Sequence, residues 1–372
     1  MSTSPPLPNL RTPLCDFFGI EYPIVLAGMG GIVSPSGPEL TAAVSEAGGL
    51  GVLGGAFVPP DELARQIDRV RELTSKPFGV DTLIPFSVTR GALDAPVGLD
   101  PTLPAEHLAF LDDFAERHGL GDLPEADIPV FDPAFIRAQL DVILDMDVPV
   151  YVAGLGDPGY LVQHRGDRAM KLGSVVGATR HAQRAVAAGA DFVVAQGHDG
   201  GGHNSAVGTM ALIPQVVDAL DPSIPVLGAG SIMDGRQVVA ALVLGAQGVW
   251  CGSAFLPTHE AAITEAQKQA IVDARDTDTR VSKVWSGKPA RLIRSVWTEE
   301  FEASGLPVLP MHQQLTLVDR VMRVADAQNR VDINPGAAGQ GIGMVHAIRP
   351  AADVFADLVR GAREILDRGL AG

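Results

Sequence analysis

A short apolar run, Phe192-Val193-Val194-Ala195, leads without a break into Gln196-Gly197-His198-Asp199-Gly200-Gly201-Gly202-His203. Such a run after Gly189-Ala190 fits a parallel strand buried on both faces. The same junction recurs as Pro225-Val226-Leu227 into Gly228-Ala229-Gly230-Ser231, and as Gly248-Val249-Trp250 into Cys251-Gly252-Ser253. Backbone that approaches a ligand closely, or takes positive φ, favours glycine. N–H groups beside a helix start then form a phosphate site. A βα-barrel that holds phosphate after its last two strands has this layout.

Upstream, Pro23-Ile24-Val25-Leu26-Ala27 reads as the first strand, turning at Gly28-Met29-Gly30-Gly31. A helix is expected from near Ser36 to Gly48-Gly49, with Pro38 in its first turn. Leu50–Leu53 and Pro77–Asp81 read as the second and third strands, with an amphipathic helix from Asp61 to Leu73 between them. The alternation breaks from Ile84 to about Pro133, where prolines and acids accumulate around a short helix expected over Ala105–His118. So long an interruption suits an inserted cover. It resumes with a helix over Pro133–Leu144, a strand at Pro149–Ala153, a helix running to Lys171, a strand at Ser174–Val176 and a helix over Thr179–Ala188. The three glycine junctions supply strands six to eight.

Eight strands with intervening helices favour a closed (β/α)8 TIM barrel over a doubly wound sheet. The open sheet would need a dinucleotide fingerprint after the first strand, and Gly28-Met29-Gly30-Gly31 lacks its spacing. The expected organisation is a barrel over 13–256 and 335–372, an insertion at about 84–133, and a helical covering region over 257–334. The last helix is expected over Ala351–Leu366, and residues 1–12 form a loosely held arm.

Net charge is −16, which argues against nucleic acid or an anionic membrane surface as a partner. An anionic cofactor must then rely on backbone N–H groups. Cys15 and Cys251 give no disulfide framework. The start MSTSPPLPNL lacks the regions of a signal peptide, and no apolar run is long enough for a membrane span. The chain therefore reads as soluble and cytoplasmic, with monomer and homodimer both open.

The segments QGHDGGGH, GAGSIMDGRQVVAALVLGAQGV and GSAFLPTHEA resemble the FMN-dependent nitronate monooxygenases, once called 2-nitropropane dioxygenases. PIVLAGMGGIVSPSGPELTAAVSEAGGLGVLG and SGKPARLIRSVWTEEF resemble them too, so the likeness runs from about Pro23 to Phe301, with an echo at Gly339-Gln340. It implies FMN as cofactor, a nitronate as substrate, O2 as oxidant, and a helical region over the barrel mouth. Around the flavin it implies Ala27, Gly28, Met29, Gly30, Asp81, Gln196, Gly200, Gly201, Gly202, Gly228, Gly230, Ser231, Trp250, Cys251, Gly252 and Ser253.

His203 matches the family's catalytic histidine, either as base for a nitroalkane or as an orienting group for a nitronate. The plainer reading is a histidine that only satisfies loop backbone. His198 is the lesser candidate. A metal on His198, Asp199 and His203 is not expected, because the loop is too glycine-rich for ligands one helical turn apart. Cys251 reads as a small packing residue more than a nucleophile.

Several positions depart from the family pattern. Asp81 stands where relatives carry Asn or Gln against the flavin, and an ionised carboxylate only accepts hydrogen bonds. Ser231 replaces a glycine, which costs backbone freedom. Ser253 replaces threonine and keeps the hydroxyl. Asp199 and Gly200 are mild changes. An FMN-dependent enoyl-thioester reductase using NAD(P)H, with a similar GGH loop, and a flavin-binding protein without turnover are the alternatives.

Overall fold

Strands that are short and apolar on both faces must be covered on both sides, and this dictates the architecture. The computed structural model describes residues 10–31, 34–84, 102–127 and 132–369. Its barrel strands are Ile24–Leu26 (β1), Gly51–Gly54 (β2), Phe78–Thr82 (β3), Val150–Ala153 (β4), Lys171–Val176 (β5) and Phe192–Gln196 (β6). After a two-residue strand, Gly202–His203 (β7), come Val226–Ala229 (β8) and Gly248–Cys251 (β9). The eight-stranded sheet is parallel in the order β1-β9-β8-β6-β5-β4-β3-β2. A bridge from Val25 to Leu50 joins its ends, with the Leu26 N–H donating to the Leu50 carbonyl at 2.9 Å. The chain is a (β/α)8 TIM barrel, as expected.

Inside the barrel, Val25, Leu50, Val52, Val152, Val194, Leu227 and Trp250 pack together, and the helix Pro13–Phe18 adds Leu14, Cys15 and Phe18 to the same core. The surrounding helices start where the sequence demands. Pro13–Phe18, Pro38–Glu46, Pro60–Leu73 and Pro133–Asp145 all carry proline in the first turn, where its missing N–H has no helical partner to lose. One expectation fails. The helix after β4 spans only Gly159–His164, and the chain turns at Gly166 (φ 56°) so that β5 already begins at Lys171.

The region 257–334 is not purely helical. Beside helices Glu265–Asp273, Val296–Ala303 and Met311–Ala327 it holds Thr279–Ser282 (β10) and Ala290–Ile293 (β11). These pair antiparallel, and β11 pairs on with β7, matching Ala290 to His203 and Arg291 to Gly202. The last two residues of the stretch read as a glycine loop are therefore strand. Two four-residue strands carry too few residues for a period to show.

The insertion's helix, Ala105–His118, falls at the expected bounds, whereas 85–101 and 128–131 lie outside the described residues, as do 1–9 of the expected arm. It packs its Leu111, Phe114 and Ala115 against Trp297, Phe301, Leu317, Val318 and Val321, giving a second hydrophobic core apart from the barrel. Among the described residues, no helix is long and apolar enough to cross a membrane.

Candidate active site

The turns that follow β1, β3, β4, β6, β8 and β9 surround a cavity of about 270 Å³ at the C-terminal ends of the strands. Ala27, Gly28, Met29 and Gly30 line it from β1, Asp81 from β3, and Gln196, Gly200, Gly201, Gly202 and His203 from β6 and its loop. Gly230 and Ser231 enter after β8, Trp250 from β9 itself, and Gly252 and Ser253 after it. The structure thus brings together all but two of the expected site residues. Gly228 and Cys251 do not line it. Both face the helical layer, not the cavity. A Cβ on Gly228 would meet Ile213 at 2.8 Å and Ala241 at 3.0 Å. Cys251 is buried among the residues between sheet and helices, where desolvation pushes its thiol up to about 12. Alternation along a strand explains this, since each sits one residue before or after a cavity-facing neighbour.

His203 stands on the cavity wall. Its Nε2 lies 2.6 Å from the Ser286 Oγ, and its backbone carbonyl accepts from Gln196 Nε2 at 2.7 Å. Enclosure by protein, with Lys288 adding like charge, lowers its pKa to about 4, so the ring is neutral at pH 7. A second cavity of about 360 Å³ adjoins it, lined by Asp157, Ser174, His181 and Asn204 among others. His203 and Gln196 border both cavities. His198 lines neither: its Nδ1 is 2.8 Å from the Ser205 carbonyl. Asp199 accepts from the Thr209 N–H at 2.8 Å, at the start of helix Thr209–Ala219. These three residues diverge and share no centre.

The C-terminal loop stitches the glycine turns to one another, which gives the echo at Gly339-Gln340 a structural meaning. The Gly339 N–H donates to Ser253 Oγ, and the Gly341 N–H donates to Ser231 Oγ, each at 2.9 Å. The Gln340 N–H donates to the Asp199 carbonyl at 2.9 Å. Ser231 holds φ at 55°, a region that glycine enters freely and serine rarely. Its hydroxyl also donates to the Asp199 carbonyl at 2.6 Å, so both hydrogen-bonding roles are taken by loop backbone. Among the described residues Ser253 only accepts, and its proton has no acceptor there.

Asp81 is 6% exposed, and burial raises its pKa well above the usual carboxylate range. Its side chain lies across Gly28, where an added Cβ would come within 2.2 Å of the Asp81 Cβ. That contact requires glycine at position 28.

Sequence reasoning missed Ser286, which is fully buried against His203, and the wall residues Phe57, Trp285 and Asn334. Phe57 has φ 61°, rare for a bulky residue. For Ser286 the only signal was its place in the SGKPARLIRSVWTEEF segment.

A family model described as nitronate monooxygenase matches residues 11–361. A Staphylococcus aureus (strain JH9) protein named probable nitronate monooxygenase is 36% identical over 322 residues, covering 82% of this chain and 84% of that one. The solved nitroalkane oxidase from Streptomyces ansochromogenes superposes with a TM-score of 0.80 at 31% identity, covering 95% of this chain and 99% of its own. FabK from Thermotoga maritima superposes with a TM-score of 0.73 at 27% identity, covering 96% and 98%. With its barrel, its ordered turns and these likenesses, the chain belongs to the nitronate monooxygenase family of flavin oxidoreductases.

Proposed function

We propose that this chain binds FMN in the barrel-mouth cavity and oxidises alkyl nitronates, and nitroalkanes that His203 first deprotonates, using O2 and yielding a carbonyl compound and nitrite. The observation that carries this reading is a neutral imidazole on the wall shared by two cavities. FMN, when bound, supplies the electron acceptor.

The residues present fit such a cofactor. Among the described residues no Lys or Arg lines the cavity, so a phosphate there depends on neutral donors. Ser253 offers a free hydroxyl proton after β9, whereas the turn after β8 has only backbone to give, because Ser231 is committed. Asp234 already caps the helix Gly235–Val243, which leaves the glycine turns themselves as the phosphate contact.

His203 works as a base in one tautomer. Its Nε2–H must donate to Ser286 Oγ, leaving the Nδ1 lone pair to take the proton from the carbon beside the nitro group. A hydroxyl that donated to Nε2 would place the ring proton on Nδ1 and block this. Ser286 is therefore a positioning residue. A preformed nitronate needs no proton transfer; its oxygens only accept, so the ring orients it with a proton on Nδ1, as the other tautomer, with Nε2 accepting from Ser286 Oγ, or as the imidazolium. In this reading 13–256 and 335–372 form the flavin-binding barrel and 257–334 the cover, to which Ala105–His118 contributes.

The test is to purify the protein, record its visible spectrum, identify the flavin released on denaturation, and follow oxygen uptake and nitrite on adding propionate-3-nitronate. A yellow, FMN-containing protein that consumes oxygen only with nitronate supports the proposal. Flavin bleaching by NAD(P)H alone favours the enoyl-thioester reductase, and a yellow protein inert to both favours a binding protein. A colourless protein that takes up no FMN contradicts all three.

A further inference from the structure

We propose that Asp81 meets the flavin as a neutral carboxylic acid, its O–H donating to one ring heteroatom while its carbonyl oxygen accepts from a ring N–H. This rests on the reading that flavin fills the cavity. Asp81 ends β3 with its side chain in the cavity wall, wedged between the turns after β1 and β4. It overlies Gly28, and its Oδ1 lies 3.0 Å from where a Cβ on Gly154 would stand. None of the described residues hydrogen-bonds its carboxyl oxygens. A polar side chain 94% buried, aimed into a cavity and lacking a protein partner, points to a partner that the ligand brings.

Charge decides which protonation state the ligand meets. From β4, Tyr151 is occupied with Thr82 Oγ1 at 2.9 Å. On the cavity wall the other titratable group is the neutral His203, and no Lys or Arg of the described residues lines the space. An ionised carboxylate would have no counterion, and a bound ring would displace the water that solvates it. Burial accordingly raises Asp81 well above the usual carboxylate range. The neutral acid offers one donor and one acceptor side by side, as a primary amide does. The pyrimidine edge of a flavin alternates acceptors with an N–H, so the two complement each other.

The experiment measures FMN binding to apoprotein at pH 7 by fluorescence quenching, with thermal melts to confirm folding. Asp81→Asn, which keeps donor and acceptor, should bind within about threefold of the unaltered protein. Asp81→Leu, with similar shape and no polar atoms, should bind about tenfold or more weakly. The FMN-minus-apo infrared difference spectrum should contain a protonated-carboxyl C=O band that shifts in D2O and disappears in Asp81→Asn. If Asp81→Leu fails to fold, Asp81→Asn and the infrared band decide. Tenfold tighter binding by Asp81→Asn, with only carboxylate bands in the unaltered protein, overturns the proposal by showing an ionised group. Unchanged binding by Asp81→Leu overturns it by showing no contact. An unaltered protein that takes up no FMN overturns the underlying reading instead.

Discussion

The barrel core and the aromatic core beside it divide the work of the site. In the barrel, mainly aliphatic side chains, with Phe192 and Trp250, come from strands that mostly pair with their neighbours in sequence, and the turns above them line the cavity. In the second core, Phe114 of Ala105–His118 meets Trp297 edge-to-face at 5.3 Å, and Phe110 meets Phe301 at 5.5 Å. In sequence its partners lie on either side of five of the eight barrel strands. The catalytic candidate belongs to both halves. His203 hangs from β6 but is paired with β11 and bonded to Ser286, both from the segment that also carries the aromatic core. On the proposed reading the barrel turns, together with Trp285, Leu292 and Asn334 of the segment 257–334, would enclose the cofactor, and that segment also holds the His203 ring.

That division can be broken from either side. The largest effect is expected for His203→Asn, which should keep flavin yet lose about 10²–10⁴-fold in nitroalkane turnover, the range for a removed general base. Nitronate turnover, read by the same oxygen electrode, should fall far less. Equal small losses would return His203 to a loop-satisfying histidine, and equal large losses would make it an anchor for the nitro group. Trp297→Ala should destabilise the cover by about 3–5 kcal/mol through the cavity it leaves. Hydrogen exchange should then accelerate in 105–118 and 296–327 while β1, β8 and β9 stay protected and the protein stays yellow. Equal acceleration in the barrel would show one cooperative unit, not two. Ser286→Ala should cost about 0.5–1.5 kcal/mol in nitroalkane turnover, up to about tenfold, by releasing the tautomer. Nitronate turnover should hold, and Ser286→Thr should restore the nitroalkane rate; no change in Ser286→Ala would mean the ring is positioned by β7 alone.

The same division governs what was legible in the chain. All eight barrel strands were readable because each is an apolar run punctuated by glycine or proline, a signal contained within a few residues. His203 stands at one of those strand ends, and the residues expected beside it, which came from the family resemblance, mostly line the same cavity. Gly228 and Cys251 lie off the cavity wall because a motif names consecutive residues whereas a strand turns alternate ones to the helices. β10, β11 and Ser286 were not legible. Their pairing with Gly202 and His203 joins positions far apart in sequence, and Thr279–Ser282 and Ala290–Ile293 are too short to carry a period. The helix Ala105–His118 could be drawn, but its partner Trp297 could not be named. The Ser231 substitution looked like a loss of freedom, and the structure adds two hydrogen bonds that tie it to other loops.

The most direct test of a neutral base on the cavity wall is the pH dependence of kcat/KM for a neutral nitroalkane, measured while the visible spectrum confirms bound flavin. A base must be unprotonated to act, so activity falls as pH drops through the pKa of His203. With that value lowered to about 4, the rate at pH 5 should remain about 90% of its value at pH 8. The decline should set in only below that, and should be missing from the residual activity of His203→Asn. A histidine with the ordinary pKa of about 6.5 would retain only about 3% at pH 5. A fall of that size, absent in His203→Asn, would contradict the account.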